Sequence, residues 1–348
     1  MKRRGLALLF VLPVVAATAV AGTITAPWRI RPCVSSYSTG FTGGPTHVEL
    51  GPDGNLWANE GQNDRIAKFD IQLKRVTAEY SVPKGTQLHD LVPGPDGNVW
   101  FTGNANILGR LNIHTGKITL FPGLRGAGNP HMWWAPDGYL YVSEVAAGRL
   151  ARFDPKTEQV TDSQYNLPRN NGIHSFAQVP GGNTWWGLEY VDKLARFNIH
   201  THRFDEFVDL RGGHGPHWLT YVPSDDAVWI AFAYSNNLAR FDLRTHNLTY
   251  MATPIPPASP SLFKGFALFA YLTHMLADAN GRFLWIATLG GRELLRVDLR
   301  THRLKKVYCG LGALGVTIVL ARDRAGNMWV SEPFDKSLGK IHGETDGS

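Results

Sequence analysis

The chain has 348 residues, of which 43% are hydrophobic and 18% charged, with a formal net charge of +6 at pH 7. This length is sufficient for a fully buried core. The basic residues are spread along the chain without a run or a nucleic-acid-binding motif, so we expect no nucleic-acid partner.

The first 22 residues have the features of a secretory signal peptide. Three basic residues, Lys2, Arg3 and Arg4, precede an apolar stretch and a small-residue cleavage site at Ala19–Ala21. An uncleaved anchor is the alternative, although the apolar stretch is short for a helix that spans a membrane. We therefore expect a secreted or periplasmic protein with no stable membrane insertion after cleavage.

Residues 31–343 contain a seven-fold repeat with a period of 41 to 45 residues and one longer unit of 56. Each copy has a turn such as Asp53-Gly54-Asn55, which supplies the positive φ of a tight hairpin. A marker aromatic follows, and then a block such as Leu150-Ala-Arg-Phe-Asp. The markers are assigned as Trp57, Trp100, Tyr141, Trp186, Trp229, Trp285 and Trp329. Four short strands per copy predict an all-β fold, a seven-bladed β-propeller.

The last copy ends near Gly343, without room for a fourth strand, whereas an unassigned β-rich segment, residues 31–37, precedes the first copy. The N-terminal segment is therefore predicted to supply the outer strand of blade 7, which would protect the sheet edges. Cys33 on this segment and Cys309 in the sixth copy could form a disulfide in a secreted protein. The alternative is that both cysteines stay unpaired, because neighbouring outer strands can be too far apart for a disulfide.

The unit of 56 residues contains an insertion, residues 251–270, which is rich in proline and then in apolar residues. It precedes the inner strand of a blade, so we expect it to cover one mouth of the central channel as a lid. The alternatives are a packed surface loop and an apolar patch that faces a membrane or a partner.

Six copies carry a histidine at the same place, the start of the predicted inner strand, and the seventh has Val316-Thr317-Ile318 there. These histidines are His47, His89, His131, His174, His217 and His274. One position per blade forms a ring in space, at the channel end where the inner strands begin; we call this end the top mouth. The alternative is that the histidines are structural, since repeats share ancestry.

Four glutamates, each three residues after a marker aromatic, are expected at the same mouth: Glu60, Glu144, Glu189 and Glu332. Several imidazoles that face one axis suit a divalent transition metal, and without a metal they support proton transfer near neutral pH. The expected metal ligands are His47, His89, His174, His274, Glu60, Glu144 and Glu189.

The chain resembles the virginiamycin B lyase (streptogramin lyase) family. The resemblance rests on the repeated Pro-Asp-Gly-Asn-Leu-Trp and Trp-Val-Ser-Glu patterns, followed by Arg-Leu-Ala-Arg-Phe-Asp, over about residues 45–343. It implies a seven-bladed propeller that opens a cyclic depsipeptide by elimination, with a magnesium ion. Pro130-His131 and Pro216-His217 match the family's Pro-His motif, and Glu332 matches its last-blade glutamate.

These observations predict a metal-dependent carbon–oxygen lyase, active as a monomer on a cyclic or ester-containing small molecule. The expected catalytic residues are His131, His217 and Glu332, and the expected substrate contacts are Trp133, Trp218, Tyr190 and Tyr234. Magnesium is the metal that the resemblance implies, whereas the histidine ring also suits iron, copper or zinc. The alternatives are an oxidative iron or copper enzyme and a propeller that binds a ligand without catalysis.

Overall fold

The computed structural model describes residues 33–163, 166–254, 272–289, 293–309, 311 and 316–342. The predicted signal peptide and residues 255–270 of the predicted lid lie outside these ranges. The insertion as defined from sequence begins within a strand, because Met251 and Ala252 belong to the outer strand of blade 5. No helix in the described part of the chain is long and apolar enough to cross a membrane.

Seven antiparallel sheets of four strands each form the described structure, which confirms the seven-bladed propeller. Blade 1 contains β2 (His47–Leu50), β3 (Leu56–Glu60), β4 (Arg65–Asp70) and β5 (Arg75–Ser81); blade 2 contains β6 (Leu88–Pro93), β7 (Val99–Gly103), β8 (Ile107–Leu111) and β9 (Ile118–Phe121). Blade 3 contains β10 (Met132–Trp134), β11 (Leu140–Glu144), β12 (Arg149–Asp154) and β13 (Gln159–Ser163); blade 4 contains β14 (Ile173–Gln178), β15 (Thr184–Leu188), β16 (Lys193–Asn198) and β17 (Arg203–Asp209). Blade 5 contains β18 (Pro216–Val222), β19 (Ala227–Phe232), β20 (Asn237–Asp242) and β21 (Leu248–Ala252); blade 6 contains β22 (Leu272–Ala277), β23 (Phe283–Thr288), β24 (Glu293–Asp298) and β25 (Arg303–Tyr308). Blade 7 contains β26 (Leu320–Arg322), β27 (Met328–Glu332), β28 (Ser337–Ile341) and β1 (Val34–Tyr37), and short 3-10 turns occupy Pro180–Gly182 and Pro333–Asp335.

The N-terminal strand closes the ring as predicted. β1 pairs antiparallel with β28, with Val34 opposite Ile341, so the sheet order of blade 7 is β26-β27-β28-β1. A disulfide between Cys33 and Cys309 joins this strand to the end of blade 6, across a Cα–Cα distance of 4.3 Å. Of the two alternatives, the pairing therefore holds, because both cysteines lie just beyond their strands, where the chains approach each other.

The core consists of seven apolar clusters, each between two neighbouring blades of the described structure. The aspartate of the repeated turn bonds to the marker aromatic and to the following strand. Nε1 of Trp57 donates to Asp53 at 2.9 Å, and Lys68 on the next strand pairs with the same carboxylate at 2.8 Å. Trp229 and Asp225 repeat this bond in blade 5. In these blades the motif therefore ties the turn to the second and third strands.

Strand register corrects one marker assignment. Tyr141 lies opposite Arg152 and Trp229 opposite Arg240, and in blade 4 the residue opposite the equivalent Arg196 is Trp185, not Trp186. The marker of blade 4 is therefore Trp185, and the assignment of the adjacent Trp186 is wrong by one residue. Side chains alternate between the faces of a sheet, so a one-residue error changes which face every later residue of the strand occupies.

Candidate functional site

The six histidines lie at the starts of the inner strands, as the repeat predicts. His47 begins β2, the histidines of blades 2, 4, 5 and 6 are the second or third residues of their strands, and His131 immediately precedes β10. Ring centroids are separated by 5.0 Å for His89 and His131, 4.7 Å for His131 and His174, and 4.2 Å for His174 and His217. These imidazoles therefore form one continuous cluster at the top mouth.

Bulges turn the ring histidines and the residues after them. The register of the inner strand shifts at the histidine in blades 2, 4 and 5, for example between Leu88 and Leu91 and between Pro216 and Trp218, and just before His274 in blade 6. An extra residue in one strand re-aims the side chains beside it. Consequently the residue that follows a histidine also meets the ring, as Asp90 and Trp218 do.

Asp90 is a site residue that the sequence analysis missed. Its buried carboxylate lies 3.1 Å from Nε2 of His47 and 3.7 Å from Nδ1 of His131, and it accepts the backbone N–H of Met132 at 2.8 Å. Burial disfavours protonation of His47, but the carboxylates of Asp90 and Glu49 outweigh it and raise the pKa of His47. The sequence feature that points to Asp90 is its position directly after the ring histidine His89.

Glu189 joins two histidines on blades 4 and 5. Its Oε2 lies 3.3 Å from Nδ1 of His217 and 3.9 Å from Nε2 of His174, and its Oε1 accepts a hydrogen bond from the hydroxyl of Tyr234. Burial of Glu189 opposes ionisation, but the hydrogen bond from His217 and the nearby imidazoles lower its pKa to about 2. One potential ligand atom from each of Glu189, His174 and His217 lies within 4.8 Å of the other two.

The other three strand-end glutamates make different contacts. Glu60 accepts the N–H of Gly43 at 2.9 Å, Glu332 accepts the hydroxyl of Ser337 at 2.8 Å, and Glu144 pairs with Arg149 at 3.1 Å. These bonds attach the three carboxylates to neighbouring loops and strands, and none of the three belongs to the cluster of His174, Glu189 and His217. The register explains the difference, because the blade 4 residue equivalent to Glu144 is Leu188 and Glu189 lies one residue further.

The four predicted substrate contacts separate into three environments. Trp133 lies in the core between blades 3 and 4 and stacks on Tyr141 at 5.5 Å, so it offers no surface at the mouth and that prediction is corrected. Tyr190 and Tyr234 are 56% and 48% exposed beside Glu189.

Trp218 extends into the channel. Its ring lies 4.0 Å from that of His274 and 5.2 Å from that of His131, measured between centroids. Trp218 and Phe176 line both a cavity of about 110 Å³, which His47, Asp90 and His131 also line, and a cavity of about 410 Å³, which His274 also lines. Trp218 and Phe176 therefore border both cavities, as Glu49 does.

Magnesium does not fit the cluster on blades 4 and 5. Mg²⁺ is bound in proteins through oxygen ligands and retained waters, whereas His174, Glu189 and His217 offer two imidazole nitrogens and one carboxylate. The donors of this cluster therefore differ from those that magnesium prefers.

Comparison with known proteins gives the family. The profile of the Virginiamycin B lyase family matches residues 33–241. The structure is similar to selenomethionine-substituted virginiamycin B lyase from Staphylococcus aureus, with a TM-score of 0.73, 19% identity and coverage of 88% of this chain and 98% of that chain. A catalytically inactive variant of the S. aureus enzyme with quinupristin gives the same values.

The fold recurs in a more distant protein. Hydrazine synthase from Kuenenia stuttgartiensis has a TM-score of 0.70 at 15% identity and covers 93% of this chain and 100% of that chain. No significant match exists among curated proteins. Identities below 20% show the shared fold alone, whereas the family profile covers more than half of the sequence. The chain therefore belongs to the Virginiamycin B lyase family.

Proposed function

We propose that the protein is a lyase that opens a cyclic or ester-containing small molecule at the top mouth by removing a proton next to a carbonyl group. Family membership supports the lyase type. The observation that carries the proposal is the geometry of His131, whose Nδ1 faces a buried carboxylate while its Nε2 has no hydrogen-bond partner in the described structure.

His131 has the properties of a general base. Burial and the neighbouring imidazoles of His47 and His217 hold its pKa well below 6.5, so the ring is neutral at neutral pH. A carboxylate beside Nδ1 favours the tautomer whose lone pair is on Nε2, which is how Asp orients His in hydrolytic triads. His131 lines a cavity of about 110 Å³, and because its Nε2 is buried, the proposal requires that substrate entry exposes this atom. We assign the proton transfer to His131 rather than His217, because His217 shares Glu189 with His174.

The proposed reaction is balanced without water. His131 accepts the proton from the carbon next to the carbonyl, the electron pair of that bond forms a carbon–carbon double bond, and the ester carbon–oxygen bond breaks. The leaving oxygen departs as a carboxylate, and the proton passes from His131 to solvent. A cyclic ester thus becomes a linear product of unchanged mass. The exposed rings of Tyr190 and Tyr234 are proposed to contact the substrate at the entrance.

The test uses quinupristin, the compound held by the inactive S. aureus variant, with mass spectrometry of the products. We expect the wild type to yield a ring-opened product of unchanged mass, and His131→Asn to abolish it. The matched control is His202→Asn on the rim, where His202 pairs with Asp137 at 3.2 Å and its φ of 51° is one that Asn tolerates. A product heavier by one water, or equal turnover by His131→Asn, would contradict the proposal.

A second function is favoured by the donor set of blades 4 and 5. Two imidazoles and one carboxylate with open positions are typical of non-haem iron oxygenases. Oxygen consumption that requires iron, with no elimination product, would support this oxidative function over the lyase.

A further inference from the structure

We infer that His174, Glu189 and His217 form a binding centre for a divalent transition metal of the zinc and iron class. Its donors are two imidazole nitrogens and one carboxylate, whereas magnesium prefers oxygen ligands. The inference does not depend on lyase activity, because it concerns which ion the three side chains hold.

The spacing of the three ligand atoms suits a small cation. Bonds of 2.0–2.2 Å in tetrahedral zinc sites place neighbouring ligand atoms roughly 3.3 Å apart. Oε2 of Glu189 lies 3.3 Å from Nδ1 of His217 and 3.9 Å from Nε2 of His174. Small side-chain movements would therefore bring all three atoms into bonding range.

The tautomer of His174 is fixed for metal binding. A carbonyl oxygen can only accept, so Nδ1 of His174 carries the proton that it donates to the backbone carbonyl of His217 at 2.9 Å. The lone pair is then on Nε2, which is buried and has no hydrogen-bond partner in the described residues. A histidine whose second nitrogen donates to a backbone carbonyl is the usual arrangement of a metal ligand.

The carboxylate of Glu189 is likewise oriented by a hydrogen bond to the atom that faces away from the cluster. Tyr234 donates to Oε1 of Glu189, which leaves Oε2 directed toward the two imidazoles. The side chain of Glu189 is only 7% exposed and that of His174 only 3%. The carboxylate already has hydrogen bonds from Tyr234 and His217, whereas the buried Nε2 of His174 has no hydrogen-bond partner among the described residues. A divalent cation would replace the Nδ1 proton of His217 and bind this nitrogen as well.

The rest of the ring lacks an equivalent group. Among the described residues, this is the one set of three histidine, cysteine, aspartate or glutamate residues whose ligand atoms lie within 4.8 Å of one another. The predicted ligands His47, His89 and His274 are therefore not placed in this centre, and His217 is added to it.

The test is cobalt(II) binding by the full-length protein after treatment with a chelator, because cobalt reports its ligands through its visible spectrum. We expect the wild type to bind cobalt, zinc to displace it, and a large excess of magnesium to leave it in place. Glu189→Gln and His174→Asn should lose the spectrum. The matched control is Glu206→Gln on the rim, where Glu206 pairs with His246 at 2.8 Å, and it should retain the spectrum.

A milder variant protects the test against misfolding. Tyr234→Phe removes only the hydrogen bond to Glu189, and loss of such an outer partner weakens metal binding about 10- to 100-fold. The inference is overturned if the wild type binds no cobalt, if magnesium displaces it, or if Tyr234→Phe binds as tightly as the wild type. It is equally overturned if the spectrum survives in a folded Glu189→Gln variant. None of these readouts requires a substrate, so failure of the lyase proposal would be seen separately.

Discussion

Nδ1 of His174 donates a hydrogen bond to the backbone carbonyl of His217 and thereby joins blades 4 and 5 at the top mouth. This one bond combines two interpretations of the ring that the sequence presents as alternatives. Nδ1 connects the two blades, whereas Nε2 has no hydrogen-bond partner in the described structure and can accept a metal ion or a proton. His89 repeats the arrangement through the carbonyl of Pro130 at 3.2 Å. A structural histidine and a functional one are therefore compatible in the same residue.

Ser175→Ala should destabilise the joint between blades 4 and 5. The buried Ser175 hydroxyl donates to the carbonyl of His217 at 2.6 Å and accepts the N–H of Leu219 at 3.0 Å. The variant leaves that buried N–H without its partner, which costs about 1–3 kcal/mol. Urea unfolding measures the change. An unfolding free energy equal to that of the wild type would show that the hydroxyl does not hold the joint.

Asp90→Asn should impair turnover more than substrate binding. The substitution removes the charge that we propose to favour the Nε2 lone pair of His131, and proton-transfer groups contribute about 100- to 10,000-fold to rate. We expect kcat toward a turned-over substrate to fall by at least about 100-fold with KM little changed. Thermal melting confirms that the variant is folded. A fall confined to KM would instead place Asp90 in substrate binding.

Loss of the disulfide should weaken closure of the propeller. Cys33 and Cys309 are separated by 276 residues, so the bridge greatly restricts the unfolded chain. Replacing both with alanine should lower the unfolding free energy by about 2–5 kcal/mol. Denaturant unfolding with and without reductant checks this, because reductant should affect the wild type and spare the double variant. An equal response of both proteins would mean that the bridge does not form.

Acid should destabilise blade 1 through Asp53. Burial opposes ionisation of Asp53, but its bonds from Lys68, Trp57 and Asn55 outweigh it and lower the pKa from 3.8 to about 2. A folded-state pKa below the unfolded one stabilises the protein above pH 3.8, and this contribution is lost as the pH falls toward 2. The stability advantage of the wild type over Asp53→Asn should therefore be larger at about pH 6 than at about pH 2.5. An advantage that is independent of pH would refute this assignment.

The fold was predictable because the repeat encodes it locally. Turn residues and alternating apolar positions define four strands per copy, and the missing fourth strand of the last copy leaves only β1 (Val34–Tyr37) to complete it. The ring of histidines followed from the same periodicity. The pairing of Cys33 with Cys309 did not follow, because it depends on how the chain ends approach beyond their strands.

The details of the site were less predictable, because they depend on single-residue shifts of register. Adjacent Trp185 and Trp186 look equivalent in sequence, and only pairing with Arg196 identifies which one is the marker. The register shift between Leu88 and Leu91 brings Asp90 to the ring, and strand register is not visible in the repeat pattern. The same shift of register places Glu189 beside His174 and His217, whereas Glu60, Glu144 and Glu332, which occupy the same position in the repeat, make other contacts.

The central claim is that the ring binds a divalent transition metal on blades 4 and 5, next to the proposed base His131, whose ring lies 4.7 Å from that of His174. An anomalous difference map, recorded at the zinc absorption edge from crystals grown with zinc, locates the ion directly. The account predicts one strong peak within bonding distance of His174, Glu189 and His217. A peak elsewhere in the ring, for example between His47 and Asp90, or the lack of any peak at the top mouth, would contradict it.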